Sequence, residues 1–133
     1  MITELTGGCL CGFIRFNAIS PVSPHTCSCD ICQKHTGAQT VVWLEFSSDD
    51  VQWNGEGGKP SLYRSSETSS RAFCQRCGSS LGAVDDGPNV ALLTGVFDQH
   101  DDGMFTPDFR SFEDMKPDWW RRVLPDTAPG TKN

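Results

Sequence analysis

Cys9-Leu10-Cys11, Cys27-Ser28-Cys29-Asp30-Ile31-Cys32 and Cys74-Gln75-Arg76-Cys77 hold all seven cysteines of the chain. Their grouping decides how the fold is read. A Cys-x-x-Cys pair suits a tight turn whose two thiolates converge on one ion at about 2.3 Å, and a Cys-x-Cys pair can do the same from a kinked loop. Gly8 and Gly12 flank the first cluster and Gly78 follows the third, so the backbone is free to curl round an ion there. The spacing pairs Cys9 and Cys11 with Cys74 and Cys77 as a four-thiolate structural zinc site joining distant parts of the chain. Cys27, Cys29 and Cys32 then form a set of three. Four thiolates close a tetrahedral site, whereas three leave a position for chemistry. The expectation is two zinc ions per chain, one structural and one catalytic. Water, a substrate thiol or His35 are the candidates for the fourth position of the second site. Buried apolar thiols are the plain alternative for a single pair, and His25 and His100 read as surface histidines.

Two other cysteine chemistries fit less well. A thioredoxin-like redox pair at Cys29 and Cys32 needs alternating strands and helices, which this chain does not show. A nucleic-acid-binding zinc ribbon needs two Cys-x-x-Cys hairpins and a basic surface. Here the formal charge is −6 over 133 residues, with a pI of about 4.8, and bound thiolates make the chain more acidic still. Affinity for phosphate backbones rests on basic surface, so no nucleic-acid partner is expected.

The length suits one domain. The apolar share is a modest 37%, and thirteen Gly and eight Pro imply many turns, so metal crosslinks would help such a chain hold together. The first residues carry no basic segment followed by an apolar one, and no run is long enough to span a bilayer. The expectation is a cytoplasmic protein without membrane contact, where clustered thiols mean metal or redox chemistry rather than disulfides.

Short strands are predicted over 13–17, 40–46, 61–64, 71–74, 80–84 and 89–97, the last as a strand buried on both faces. Asn54-Gly55 is a hairpin-turn signal. Pro21, Ser23 and Pro24 read as a break before the second cluster. Asp30 is expected to cap a short helix through Lys34 that stops at Gly37. A further helix is expected over Trp119–Leu124, with Asp114 as its cap and Pro117 in its first turn. The fold class is mainly β with one or two short helices, and residues 126–133 read as a frayed tail.

Longer strings strengthen this reading. Gly8-Cys9-Leu10-Cys11-Gly12 resembles a Gly-x-Cys-x-Cys-Gly motif. Cys27-Ser28-Cys29-Asp30-Ile31-Cys32-Gln33-Lys34-His35-Thr36-Gly37 resembles Cys-His-Cys-x-x-Cys-Arg-Lys-x-x-Gly. Phe73-Cys74-Gln75-Arg76-Cys77-Gly78-Ser79-Ser80-Leu81 resembles Phe-Cys-x-x-Cys-Gly-x-x-Leu. Gly95 to Asp98 resembles a late Gly-x-x-Asp, and Trp119 a late tryptophan. In this order, over residues 7 to about 124, the chain resembles the glutathione-dependent formaldehyde-activating enzyme (GFA, centromere protein V) family. The resemblance implies a β-tent of layered antiparallel sheets in a single domain over 1–133. It implies a structural zinc at Cys9, Cys11, Cys74 and Cys77 and a catalytic zinc at Cys27, Cys29 and Cys32. It also implies a carbon–sulfur lyase-type reaction joining glutathione to formaldehyde as S-hydroxymethylglutathione. The alternative is a protein that binds glutathione or another thiol without turnover. Ser28 and Gln33 depart from the family's histidine and arginine, His100 from a proline, and Arg110 from a histidine. Lys34 matches the family's lysine and is the leading candidate to hold a glutathione carboxylate, with Arg71 and Arg76 as further candidate cations.

Overall fold

The computed structural model describes residues 3–122. The expected helix end at Val123–Leu124 and the tail 126–133 lie outside them. Ten strands stand in two sheets among the described residues. The smaller sheet runs β1 (Glu4–Gly8), β2 (Arg15–Ile19) and β5 (Val51–Trp53) in spatial order. The larger uses β3 (Val22–Cys27), β4 (Val41–Ser47), β6 (Ser61–Arg64), β7 (Ser69–Phe73), β8 (Ser80–Asp85), β9 (Asn89–Leu93) and β10 (Phe109–Ser111), in the order β10-β3-β4-β9-β8-β7-β6. Every pairing is antiparallel except β10 against β3. Two short helices, α1 (Asp30–Thr36) and α2 (Asp102–Phe105), complete the layers. The mainly β, layered architecture is the one the sequence predicts.

Side-chain alternation along the strands builds the core. Phe16 and Ala18 of β2 are buried while Arg15, Asn17 and Ile19 between them are partly exposed. Leu5 of β1, Leu44 and Phe46 of β4, and Val90 and Leu92 of β9 meet them between the sheets. Phe97 sits among them, with ring centroids 5.1 Å from Phe16 and 6.0 Å from Phe46. Each fully buried aliphatic or aromatic side chain contributes roughly 1.5–3 kcal/mol. Two smaller clusters flank this core, each built on cysteines. Ile14, Ala72 and Leu81 surround Cys9 and Cys74. Val41, Trp43 and Leu93 surround Cys27 and Cys32.

Several local readings change. Val22–Cys27 is a strand rather than a break. It tolerates Pro24 through a register shift between Val22 and His25, with Ser23 at a positive φ of 53°. Asn54-Gly55 does not close a hairpin, because β5 and β6 belong to different sheets. The turn folds back on the stretch before β2 instead, the Asn54 amide donating to the Arg15 carbonyl and the Gly57 amide to the Phe13 carbonyl. The strand expected from Phe13 starts at Arg15. The run expected to continue to Phe97 ends at Leu93 and gives way to a 3₁₀ turn over Thr94–Val96. The expected last helix is a 3₁₀ turn over Asp118–Arg122. α1 ends at Gly37 in the left-handed conformation, as predicted, but its N-cap is Cys29 and not Asp30. A thiol in place of the expected carboxylate accepts the Cys32 amide at 3.3 Å.

Candidate metal centres

The loop between β1 and β2 carries Cys9 and Cys11, and the turn between β7 and β8 carries Cys74 and Cys77. These four sulfurs all lie within 4.8 Å of one another. Cys9 and Cys11 are 3.7 Å apart, and Cys11 and Cys74 are 3.9 Å apart. Sulfurs on a tetrahedral zinc with bonds of about 2.3 Å stand about 3.8 Å apart; a disulfide would need about 2.05 Å. The spacing is therefore that of metal ligands, and all seven cysteines are free thiols. Backbone amides point at the sulfurs. Ile14 donates to Cys9 at 3.2 Å, and Arg76 and Cys77 donate to Cys74 at 3.3 and 3.4 Å. Gly12 and Gly78 make these turns possible, at φ of 82° and 80°, a region that side-chain-bearing residues enter at a cost. The Gly78 amide closes its turn on the Cys74 carbonyl at 2.8 Å.

The second cluster is local. Cys27 ends β3, Cys29 caps α1, and Cys32 lies in its first turn. Their sulfurs also lie within 4.8 Å of one another, and among the described residues no further His, Cys, Asp or Glu joins them. His35 is thus not part of the group, although its position in sequence offers it. Both of its ring nitrogens are buried without a well-formed hydrogen bond. Burial, then the neighbouring Arg71 charge, holds its pKa below the ordinary value, with the Ala72 backbone opposing them.

The thiols differ in acidity. Burial raises Cys27 to about 12. Burial, then the Cys29 thiol, raises Cys32, while Arg71 pulls the other way with its Nη1 3.6 Å from the Cys32 sulfur. Burial also opposes the Cys29 thiolate, but the Cys32 amide and the two neighbouring thiols outweigh it, and Cys29 is lowered. In the first cluster the Ser79 hydroxyl, then its amide, draws Cys77 down to about 5. Cys9 is lowered as well, burial being outweighed by the Ile14 amide and the Cys74 and Cys11 thiols. Each cluster thus holds at least one thiol poised to ionise, and a bound cation deprotonates its ligands in turn.

Two departures from the family strings prove structural here. Ser28 is fully buried, its hydroxyl 3.0 Å from that of Thr40. Gln33 donates to the Ser28 carbonyl at 2.7 Å and to the Met115 carbonyl at 3.2 Å, which fixes the loop from behind.

Beside the second cluster opens a cavity of about 470 Å³, whose walls include Ile31, Lys34, His35, Tyr63, Arg71 and Phe73. Lys34 and Arg71, both candidates from sequence, line it together. Arg76 does not; it lies over the Phe13 ring, 4.9 Å from its centroid. Tyr63, Ser65 and Ser80 also line the cavity and were not assigned from sequence. Only the pairing of β6 with β7 and the docking of α1 bring them in, and no local motif signals that. Of the histidines read as surface residues, His25 is half-buried and stacks on Phe109 with centroids 4.7 Å apart.

Layered sheets carrying two thiol clusters of metal-ligand spacing define the class, a small mainly β domain able to hold two ions. The model of the glutathione-dependent formaldehyde-activating enzymes matches residues 4–114, and the chain belongs to that family. A Halomonas elongata protein, named as a candidate glutathione-dependent formaldehyde-activating enzyme, is 32% identical over 90 residues, covering 61% of this chain and 56% of that relative. The chain thus spans little more than half the length of that protein. A crystal structure of a Rhodobacter sphaeroides protein aligns with a TM-score of 0.62 at 16% identity, over 80% of this chain and 99% of that one. That likeness shows the fold alone. Among the described residues no helix is long and apolar enough to cross a membrane.

Proposed function

We propose that this chain is a zinc-dependent enzyme that adds a small thiol, glutathione foremost, to an aldehyde such as formaldehyde. The product is S-hydroxymethylglutathione, and in reverse the reaction is a carbon–sulfur lyase. In the forward direction the thiol sulfur bonds to the carbonyl carbon, and the thiol proton ends on the carbinol oxygen. One observation carries the reading: three converging thiols with no fourth protein donor among the described residues. Zinc held by Cys27, Cys29 and Cys32 would supply a cationic centre that favours the deprotonated form of an incoming thiol near neutral pH.

The chain's own residues arrange the rest. Val41, Trp43 and Leu93 pack against Cys27 and Cys32 and shield that side from water. The Cys32 amide holds the Cys29 sulfur in place. Arg71 offsets the negative charge of the thiolates from 3.6 Å. Lys34, exposed at the cavity and without a carboxylate partner among the described residues, is available to the anionic end of the thiol. Cys9, Cys11, Cys74 and Cys77 would hold the second zinc in a structural role.

The test is the rate of hemithioacetal formation from glutathione and formaldehyde, read by exchange NMR above the spontaneous rate. The zinc-loaded protein should accelerate it, and Cys29→Ser should return it to background. A protein carrying two zinc ions that leaves the rate unchanged would contradict the enzymatic reading.

A further inference from the structure

Helix α1 and the β6–β7 hairpin face each other across the 470 Å³ cavity. Ile31, Lys34 and His35 stand at positions i, i+3 and i+4, one face of the helix. Arg71 and Phe73 alternate on one face of β7, and Tyr63 is the cross-strand partner of Arg71. Two cations and an imidazole therefore converge in an acidic protein, and among the described residues no carboxylate lines the walls. Elsewhere Arg15, Arg64, Arg110 and Lys116 each meet an acidic side chain. Arg71 meets none among the described residues. It is half-buried, its Nε is enclosed without a hydrogen-bond partner, and its guanidinium is held 5.4 Å from the Trp43 ring centroid. A partly buried cation whose counter-charge is confined to a thiol at one nitrogen remains costly. The Cys32 sulfur at one guanidinium nitrogen leaves the remaining fork undercommitted, and such a fork matches a carboxylate.

We propose that this cavity is a carboxylate subsite headed by Arg71, which selects peptide-like thiols bearing a carboxylate over neutral thiols. The inference deepens the proposed reaction: it rests on that reading for the ligand's sulfur but not for its carboxylate. Arg71 would touch both partners, with one nitrogen at Cys32 and the rest of the fork toward the ligand. A thiol anchored there by its carboxylate is held beside the three-cysteine cluster. Lys34 at the rim adds a second, more solvated charge, and Ile31, Tyr63 and Phe73 offer apolar surface to the ligand's backbone.

Calorimetric titration of the zinc-loaded protein with three probes tests this. Glutathione carries both thiol and carboxylates. γ-Glutamyl-2-aminobutyryl-glycine keeps the carboxylates and lacks the thiol. Glutathione diethyl ester keeps the thiol and caps the carboxylates. Wild type should bind the thiol-free tripeptide, and should bind the diester more weakly than glutathione. Arg71→Met should weaken glutathione and the thiol-free tripeptide by about tenfold or more, the scale of a charge-assisted hydrogen bond. The same change should leave the diester within about twofold, and Arg71→Lys should restore part of the loss. Thermal melts of both variants establish that they are folded, and the wild-type preference for acid over diester tests the subsite without any substitution. The proposal fails if wild type does not bind the thiol-free tripeptide, if Arg71→Met leaves glutathione affinity unchanged, or if it weakens the diester equally. The last result would mean that Arg71 acts only through Cys32. Arg71-dependent binding of the tripeptide without acceleration of the formaldehyde reaction would uphold the subsite and remove the catalytic reading.

Discussion

The two cysteine clusters use the same ligand atom at similar spacing, yet they sit in the fold in opposite ways. Cys9 and Cys11 lie 63 or more residues from Cys74 and Cys77. They join the loop of the smaller sheet to the β7–β8 turn near the far edge of the larger one. Cys27, Cys29 and Cys32 fall within a six-residue stretch and tie only the end of β3 to the start of α1. A crosslink between distant segments removes far more freedom from the unfolded chain than one inside a single turn. The first cluster is therefore suited to hold the fold, and under the proposed function an ion at the second would be left available for chemistry. Arg71 adds a feature at the three-cysteine cluster: one of its nitrogens lies 3.6 Å from the Cys32 sulfur, and its side chain also lines the cavity.

The sharpest way to break this contrast is to remove one thiol from each cluster. Cys77→Ser should cost several kcal/mol, comparable with the whole stability of a domain this size, because the free energy of binding a structural zinc is folding free energy. Urea or thermal unfolding should show a protein that no longer folds cooperatively. Cys29→Ser should melt within a few degrees of wild type while losing thiol-linked activity. The reverse order of damage would mean that the two roles are exchanged. Elemental analysis sharpens the contrast further. Wild type should carry two zinc ions per chain, and mild chelation should remove the one at Cys27, Cys29 and Cys32 first. Loss from the four-cysteine cluster first would contradict its structural role.

A smaller effect separates the cavity from both clusters. Lys34→Ala should weaken glutathione binding by roughly 1–2 kcal/mol, as for a partly solvated charge contact, with the melting temperature unchanged. Calorimetry with an uncharged thiol of similar size should show no such loss.

The smallest expected effect belongs to a contact remote from the cavity. Asp98 accepts from Arg15 and from the Thr6 hydroxyl at 2.7 Å, fastening the stretch after β9 to β1 and β2. Arg15, then Thr6, lowers the Asp98 pKa below the ordinary carboxylate value. A lowered pKa means that this stabilisation is present above the unfolded-state pKa of about 3.9 and is lost as pH falls through the folded value. Both side chains are more than a third exposed, so solvent screening holds the contribution below about 1 kcal/mol. Asp98→Asn should flatten the stability profile only below about pH 4, as melts across that range would show. Unlike the cysteine changes, it should leave zinc content untouched.

The same contrast explains what could be read in advance. Metal-ligand spacing is written locally, so the four-and-three grouping of the cysteines was legible, as were Gly37 as a helix stop and the strand over 61–64. Cys29 as a cap was not, since a sulfur in that place becomes an acceptor only once the cluster has gathered. β3 was hidden by Pro24 and by the irregularity at Ser23 that lets the strand accommodate it. β10 gains its strand character from a parallel partner more than eighty residues earlier in the chain. Lys34 lines the cavity beside the cluster, as its place after Cys32 suggested, and its role toward a ligand belongs to the proposal. Arg71 could be named as a cation, but its stacking on Trp43, its reach to Cys32 and its partnership with Tyr63 exist only once β7 lies between β6 and β8.

Under the proposed function the two clusters differ in one respect, a position free for a thiol, and cobalt substitution distinguishes them. The absorption of the cobalt-loaded protein reports ligand changes at each centre. Addition of glutathione should change the spectrum of wild type and leave that of Cys29→Ser unaltered. A wild-type spectrum that glutathione does not alter would mean that the three-cysteine centre is closed, and the account of its chemistry would be wrong.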